Sequence, residues 1–142
     1  MNDKDFENTD EVAKLVAYIF SKLLPIPVKF DANRIVTVID GINYILLHGD
    51  LPDDSRSGKQ LSWDYGDSKM FNCILLGHYH SLIINKKDDG HNFRKVYCPS
   101  IVPTNDYAMS LGYQNNAGFT VVSNSGDGLV DMVFHSLNYD KL

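Results

Sequence analysis

The feature that most constrains this chain is a change of period at Ile26. Before it, Val12, Leu15, Val16, Ile19, Phe20, Leu23 and Leu24 recur at helical spacing and make one broad apolar stripe. That stripe reads as core, with no cofactor implied. Asn8 with Glu11 three residues on resembles a capping box, and Pro25 ends the helix. After Ile26 the pattern is almost wholly β: VKF, RIVTVID, YILLH, MFNCILLGH, HSLIIN, FRKVYC, GFTVVS and LVDMVFHS. These runs are rich in Val, Ile, Phe and Tyr, the residues that fit a pleated, half-buried surface. One helix followed by short strands confines the chain to sheet-based folds. The expectation is an α+β or α/β fold, mostly antiparallel strands with one N-terminal helix, in a single domain over residues 1–142.

Turn residues divide the strands. DGIN joins Val38-Ile39 to Tyr44-Ile45 as a hairpin, KKDDGHN separates Ile84 from Phe93, and NSGDG separates Val122 from Leu129. Pro52 to Lys69 is a long polar connection with room for one short helix, and Pro99 to Asn116 is a second long connection. Long ordered loops in a compact domain are often functional. A sheet of this kind usually has a closed barrel pattern or helices for both faces, so one helix suggests part of a larger assembly.

Composition narrows the function. Hydrophobic residues are 44% and charged residues 22%, a globular balance. Thirteen basic against 18 acidic residues give −5, which argues against a strong grip on nucleic acid by the protein alone. Bound cations would reverse that local field, so a phosphate ester stays open as substrate. No apolar run is long enough to span a membrane and the N-terminal MNDKDFENTD is polar, so a cytoplasmic placement is expected, with no membrane partner. Cys73 and Cys98 sit in apolar runs and read as buried thiols in a reducing compartment.

The histidines carry the chemistry. His91 falls in a polar turn and His135 near the end of the last strand, packed or at an edge. His48 follows the apolar run NYILL, and His78 and His80 follow CILLG. Each stands where a buried strand gives way to a loop, the place where a strand fixes a side chain and a loop opens room for a ligand. On an extended strand, residues two apart share a face. His78 and His80 are therefore either a packing coincidence or half of a metal site, since imidazole is a common nitrogen ligand for zinc, manganese and iron. Asn105, Asp106 and Tyr107 lie in a loop that could border such a site. Trp63 and Tyr65 could stack on a base or cover an apolar patch.

ILLHGD followed by LLGHYH resembles the last two signature blocks of the calcineurin-like metallophosphoesterases. VYCPSIVP is similar to the strand and loop that follow, with Cys-Pro-Ser where many members have Asn-Pro-Gly-Ser. NTDEVAKLVAYI resembles the helix after the family's Gly-Asn-His-Asp/Glu block, above all in phage-type and bacterial nuclease-like members. The resemblance implies that His48 and His78 serve one ion and His80 the other. It implies a divalent cofactor, Mn2+ or Zn2+ with iron as a further candidate, and a phosphate-ester substrate, nucleic acid among the candidates. Asp50, close behind His48, is a candidate to hydrogen-bond a ligating imidazole or to sit in water. Asn105 is a candidate to line the substrate loop.

The family also uses Asp-x-His, Gly-Asp-x-x-Asp and Gly-Asn-His-Asp/Glu blocks upstream of these two, and none stands upstream of His48 here. No carboxylate is matched to the one that bridges the ions. The expectation is the C-terminal half of the metallophosphoesterase β-sandwich, incomplete or inactive alone and completed by the N-terminal half on another chain or by self-association. Two other readings stand beside it: a non-catalytic interaction module derived from that fold, and a small three-histidine zinc protein.

Overall fold

The computed structural model describes residues 3–31, 33–49, 51–77, 83–84, 92–101, 106, 110, 117–124 and 130–137, with backbone alone at 3–11, 53, 83–84 and 130. Among the described residues the fold is mixed, with α-helices at Asp3–Leu23 and Gly58–Tyr65 and mostly strands. It divides into two compact units, residues 1–35 and 36–142. Among the described residues no helix is long and apolar enough to cross a membrane.

The first unit is α1 (Asp3–Leu23) and the extended segment after it. The helix begins before Asn8, so the Asn8–Glu11 pattern falls inside it rather than at its cap. Its stripe of Val12, Leu15, Val16, Ile19, Phe20 and Leu23 is exposed, not core as the spacing suggests. The periodicity that makes the stripe is sound; its own unit has no second element to bury it. Val28 to Phe30, read as a strand, is irregular.

The second unit opens with a hairpin. The two-residue turn Asp40-Gly41, with φ 49° and 77°, joins β1 (Arg34–Ile39) to β2 (Ile42–Leu47). Positive φ at both central positions matches the right-handed strand twist and favours an Asp-Gly pair. Asn124 donates from Nδ2 to the Asp40 carbonyl at 2.6 Å and pins the turn. The chain continues through a 3-10 turn (Pro52–Ser55), α2 (Gly58–Tyr65), β3 (Phe71–Leu76), β4 (Ile83–Ile84), β5 (Phe93–Tyr97), β6 (Gly118–Asn124) and β7 (Val130–Ser136).

The strands form a five-stranded sheet ordered β1-β2-β3-β5-β4, and β6 pairs antiparallel with β7 in a separate ribbon. β4 also pairs antiparallel with β5. The centre differs from the mostly antiparallel expectation, because β2–β3 and β3–β5 run parallel. The reason is visible in the sequences INYILL and FNCILL. Strands buried on both faces read as continuous apolar runs, and a crossover helix must join them. α2 is that helix; Ser57 caps it, accepting from the Gln60 N–H at 3.2 Å.

The register sorts the side chains into two layers. Ile45 and Leu47 of β2 and Ile74 and Leu76 of β3 face Leu61 of α2, with Tyr65 and Tyr97 at the rim. On the other face Ile42 and Cys73 pack with Tyr44, Phe71 and Leu75, covered by Val122 and Met132 of the ribbon. At the amino ends of the parallel strands Asn43 and Asn72 lie side by side in register, both buried. Asn43 Nδ2 donates to Asn72 Oδ1 at 2.9 Å, and the Asp67 N–H donates to the same oxygen at 2.9 Å. Asn72 Nδ2 donates to the carbonyls of Asp67 at 2.9 Å and Met70 at 3.2 Å. That amide is fully satisfied, as a buried polar group must be.

Candidate functional site

In open sheets with parallel strands, ligands gather outside the carboxyl ends of those strands. His48 stands there, one residue past β2, and Gly77 stands beside it, one residue past β3. The ladder carries on through both: the Gly77 N–H donates to the Leu47 carbonyl at 3.1 Å, and the Cys98 N–H donates to the Leu76 carbonyl at 2.6 Å. His48 is exposed. A Cβ on Gly77 would lie 3.3 Å from the His48 carbonyl oxygen and 3.8 Å from its Nδ1. The bare glycine therefore spares the His48 carbonyl a tight contact, and it leads directly into residue 78.

The chain turns sharply after His48. Gly49 has φ 98°, a conformation that a side chain would strain. Its N–H donates to Asp54 Oδ2 at 3.0 Å, and Asp54 is 3% exposed. The Asp54 N–H in turn donates to the Leu51 carbonyl at 2.9 Å. From β5, Lys95 reaches the same loop with its Nζ donating to the Arg56 carbonyl at 2.8 Å and the Asp54 carbonyl at 3.4 Å. Lys95 is 4% exposed, and its ammonium also lies 5.0 Å from the centre of the Tyr97 ring. Arg56 pairs with Asp64 of α2. The loop that follows His48 is thus tied to itself, to β5 and to α2.

Of the expected site residues, His48 is described and is placed as the sequence implies. His78, His80, Asp50 and Asn105 lie outside the described residues, as does His91. Asp106 is exposed. Among the described residues no group of three His, Cys, Asp or Glu side chains could hold a metal ion. Of the expected ligands, His48 is the one among the described residues, an exposed imidazole on a backbone held by hydrogen bonds on both sides. His135 stacks on Phe119 in the ribbon, ring centres 5.0 Å apart and 15° from parallel.

Asp54 and Lys95 did not announce themselves in the sequence. Asp54 sits in PDDSRS, which looks like a solvated loop. Lys95 had a weak signal, since it shares a face with Phe93 and Tyr97 in the alternation of FRKVY and so points where apolar residues point.

The opposite end of the sheet holds a cleft of about 280 Å³ lined by Ser62, Trp63, Gly66, Ser68, Asn72 and Asn92. The sequence left Trp63 and Tyr65 open between base stacking and covering an apolar patch. Tyr65 packs against the core, whereas Trp63 is 68% exposed with the Lys59 ammonium 4.7 Å from its ring. A side chain at Gly66 would collide with the Ser62 carbonyl at 2.2 Å. The thiols are unsuited to nucleophilic work. Burial, then the neighbouring Cys98, pushes Cys73 up to about 12, and burial raises Cys98 as well.

No family profile matches the chain, and no curated protein matches it. The chain is similar in structure to a Vps29 single mutant from Entamoeba histolytica, with a TM-score of 0.49 and 12% identity. The likeness covers 80% of this chain and 66% of that one, so this chain spans just under two thirds of the length of its counterpart.

Proposed function

We propose that this chain supplies the histidine side of a two-metal phosphoesterase centre, with His48 and His78 on one divalent ion and His80 on the other. The observation that carries the reading is His48, exposed at the carboxyl end of a parallel strand and beside Gly77. Gly77 runs straight into the Gly-His-x-His pattern of residues 77–80. Mn2+ or Zn2+ suits the imidazole donors. When bound, such a pair lowers the pKa of a bound water and offsets charge on a phosphoryl group. The chain's own part at the described end of the site is to present the His48 imidazole from a strand end. His48 is held by the β2–β3 ladder on one side and by the Gly49–Asp54 bond on the other. A bridging carboxylate would come from a partner chain, and the substrate class is a phosphate ester.

Metal content after dialysis against Mn2+ tests this, with the parent beside His48→Ala and His78→Ala. Metal retained by the parent and lost in both variants is the expected result. Equal metal in the parent and both variants sinks the reading.

A second reading is a non-catalytic interaction module. It is favoured by the outer face of the β6–β7 ribbon, where Phe119, Val121 and Val133 stand exposed. Sedimentation equilibrium discriminates: a monomer that binds metal favours the first reading, and a self-associating chain without metal the second.

A further inference from the structure

We infer that Lys95 is a positioning residue that acts through Asp54 to fix the backbone carrying His48. A buried ammonium is costly unless its hydrogen bonds are met. Lys95 could have been an apolar residue like Phe93 on the same face of β5. Instead its Nζ donates to the carbonyls of Asp54 and Arg56, roughly forty residues earlier in the chain, at 3.4 and 2.8 Å. Asp54 then accepts the Gly49 N–H at 3.0 Å. Gly49 is the first residue after His48 and the point where the chain adopts its left-handed conformation, φ 98°. Glycine holds that conformation no better than several others. Something outside it must select the one observed, and the Asp54 carboxylate is the group that touches it. Lys95 in turn fixes Asp54, because it grips the carbonyl of that residue and of Arg56 two residues on. His48, Gly49, Asp54 and Lys95 thus form a chain of contacts from β2 through the loop to β5.

This inference concerns the backbone beside His48, and only its consequence for metal affinity rests on the function proposed above. The experiment is amide hydrogen exchange by NMR on the full chain, read at Gly49 and, as an internal reference, at Ile45 and Ile74 in the same sheet. Imidazole resonances of His48 are read alongside. Lys95→Met keeps the length of the side chain and removes the charge. Asp54→Ala removes the acceptor, whereas Asp54→Asn retains a side-chain oxygen. Gly49 is expected to exchange about tenfold faster in Lys95→Met and Asp54→Ala, with Ile45 and Ile74 unchanged, and to return towards the parent rate in Asp54→Asn. The His48 resonances should shift in the first two variants. Mn2+ affinity, measured by titration, should drop about tenfold in Lys95→Met.

Unchanged Gly49 exchange and His48 resonances in both variants overturn the inference. So does faster Gly49 exchange with unmoved His48 resonances, since the loop would then be held without positioning the histidine. A parent that binds no Mn2+ defeats the metal reading instead, and the exchange and imidazole signals still decide the role of Lys95. If Lys95→Met does not fold, the pair Asp54→Ala and Asp54→Asn decides by the same two signals.

Discussion

At the amino ends of β2 and β3 two asparagines face each other; at the carboxyl ends a histidine faces a glycine. Both ends place polar groups on the same two neighbouring strands, in the same register. Asn72 is 1% exposed, and its amide is bonded in every direction, to Asn43, Asp67 and Met70. His48 is exposed, and the buried polar groups near it, Asp54 and Lys95, bond to the backbone of the loop that follows it. The difference separates two uses of polarity. A closed amide network secures a turn and leaves nothing to bind a ligand. At the carboxyl ends the polar groups instead fix the backbone around an exposed imidazole.

The largest effect belongs to the closed end. Asn72→Leu strands the buried Asn43 amide and removes the partner of the part-buried Asp67 N–H and of two part-buried carbonyls, and should cost about 3 kcal/mol in urea unfolding. Metal retention should be untouched wherever the variant folds. A loss of both would break the contrast between the ends. His48→Ala should do the reverse: about 100-fold weaker Mn2+ binding by titration calorimetry, with stability within about 0.5 kcal/mol of the parent.

A third variant asks whether charge, rather than a lost hydrogen bond, breaks the interior between the two ends. Cys73 is fully buried, and its folded pKa of about 12 stands above the ordinary 9.0. Above the unfolded value the folded state binds more protons than the unfolded one, so stability is full below about pH 9 and declines as pH rises towards 12. The decline should be about 1 kcal/mol between pH 9 and 10 and should disappear in Cys73→Ala, measured as denaturation midpoints across that range. The smallest effect is at Gly77→Ala. The added methyl would sit 3.3 Å from the His48 carbonyl oxygen, tight enough to push rather than to clash. It should weaken Mn2+ binding about threefold and cost under about 1 kcal/mol.

Local features were legible in the sequence because they are fixed by neighbours. The Asp40-Gly41 turn follows from the φ angles those residues tolerate, and α1 and the β-rich remainder follow from their periods. The place of His48 at a strand end follows from the apolar run before it. Strand direction was not legible in the same way. β2 and β3 are joined through α2, and the PDDSRSGKQLSWDYGD segment shows only weak helical spacing, so the crossover hid in what reads as a polar connection. The Asp54–Lys95 contact joins residues that no local pattern relates. The charge at Lys95 argued for a surface, while its place in the alternation of β5 argued for the interior, and the second won because the loop brought carbonyls to meet it. Asp50 attracted attention for standing two residues from His48; among the described residues it is Asp54 that reaches the Gly49 amide.

The parallel centre also dictates the order in which the molecule can be assembled. β1–β2 closes through two residues, so it can form within microseconds as soon as Leu47 is made. β3 has no such shortcut, since its partners end at Leu47 and begin at Phe93. During synthesis the open edge of β3 must wait for β5, which is made after it. For that interval the apolar strand β3 lacks one neighbour, a state open to pairing with other nascent copies. Slower translation across residues 77–92 would prolong the exposure, and an obstacle to yield would be found there rather than in the finished protein.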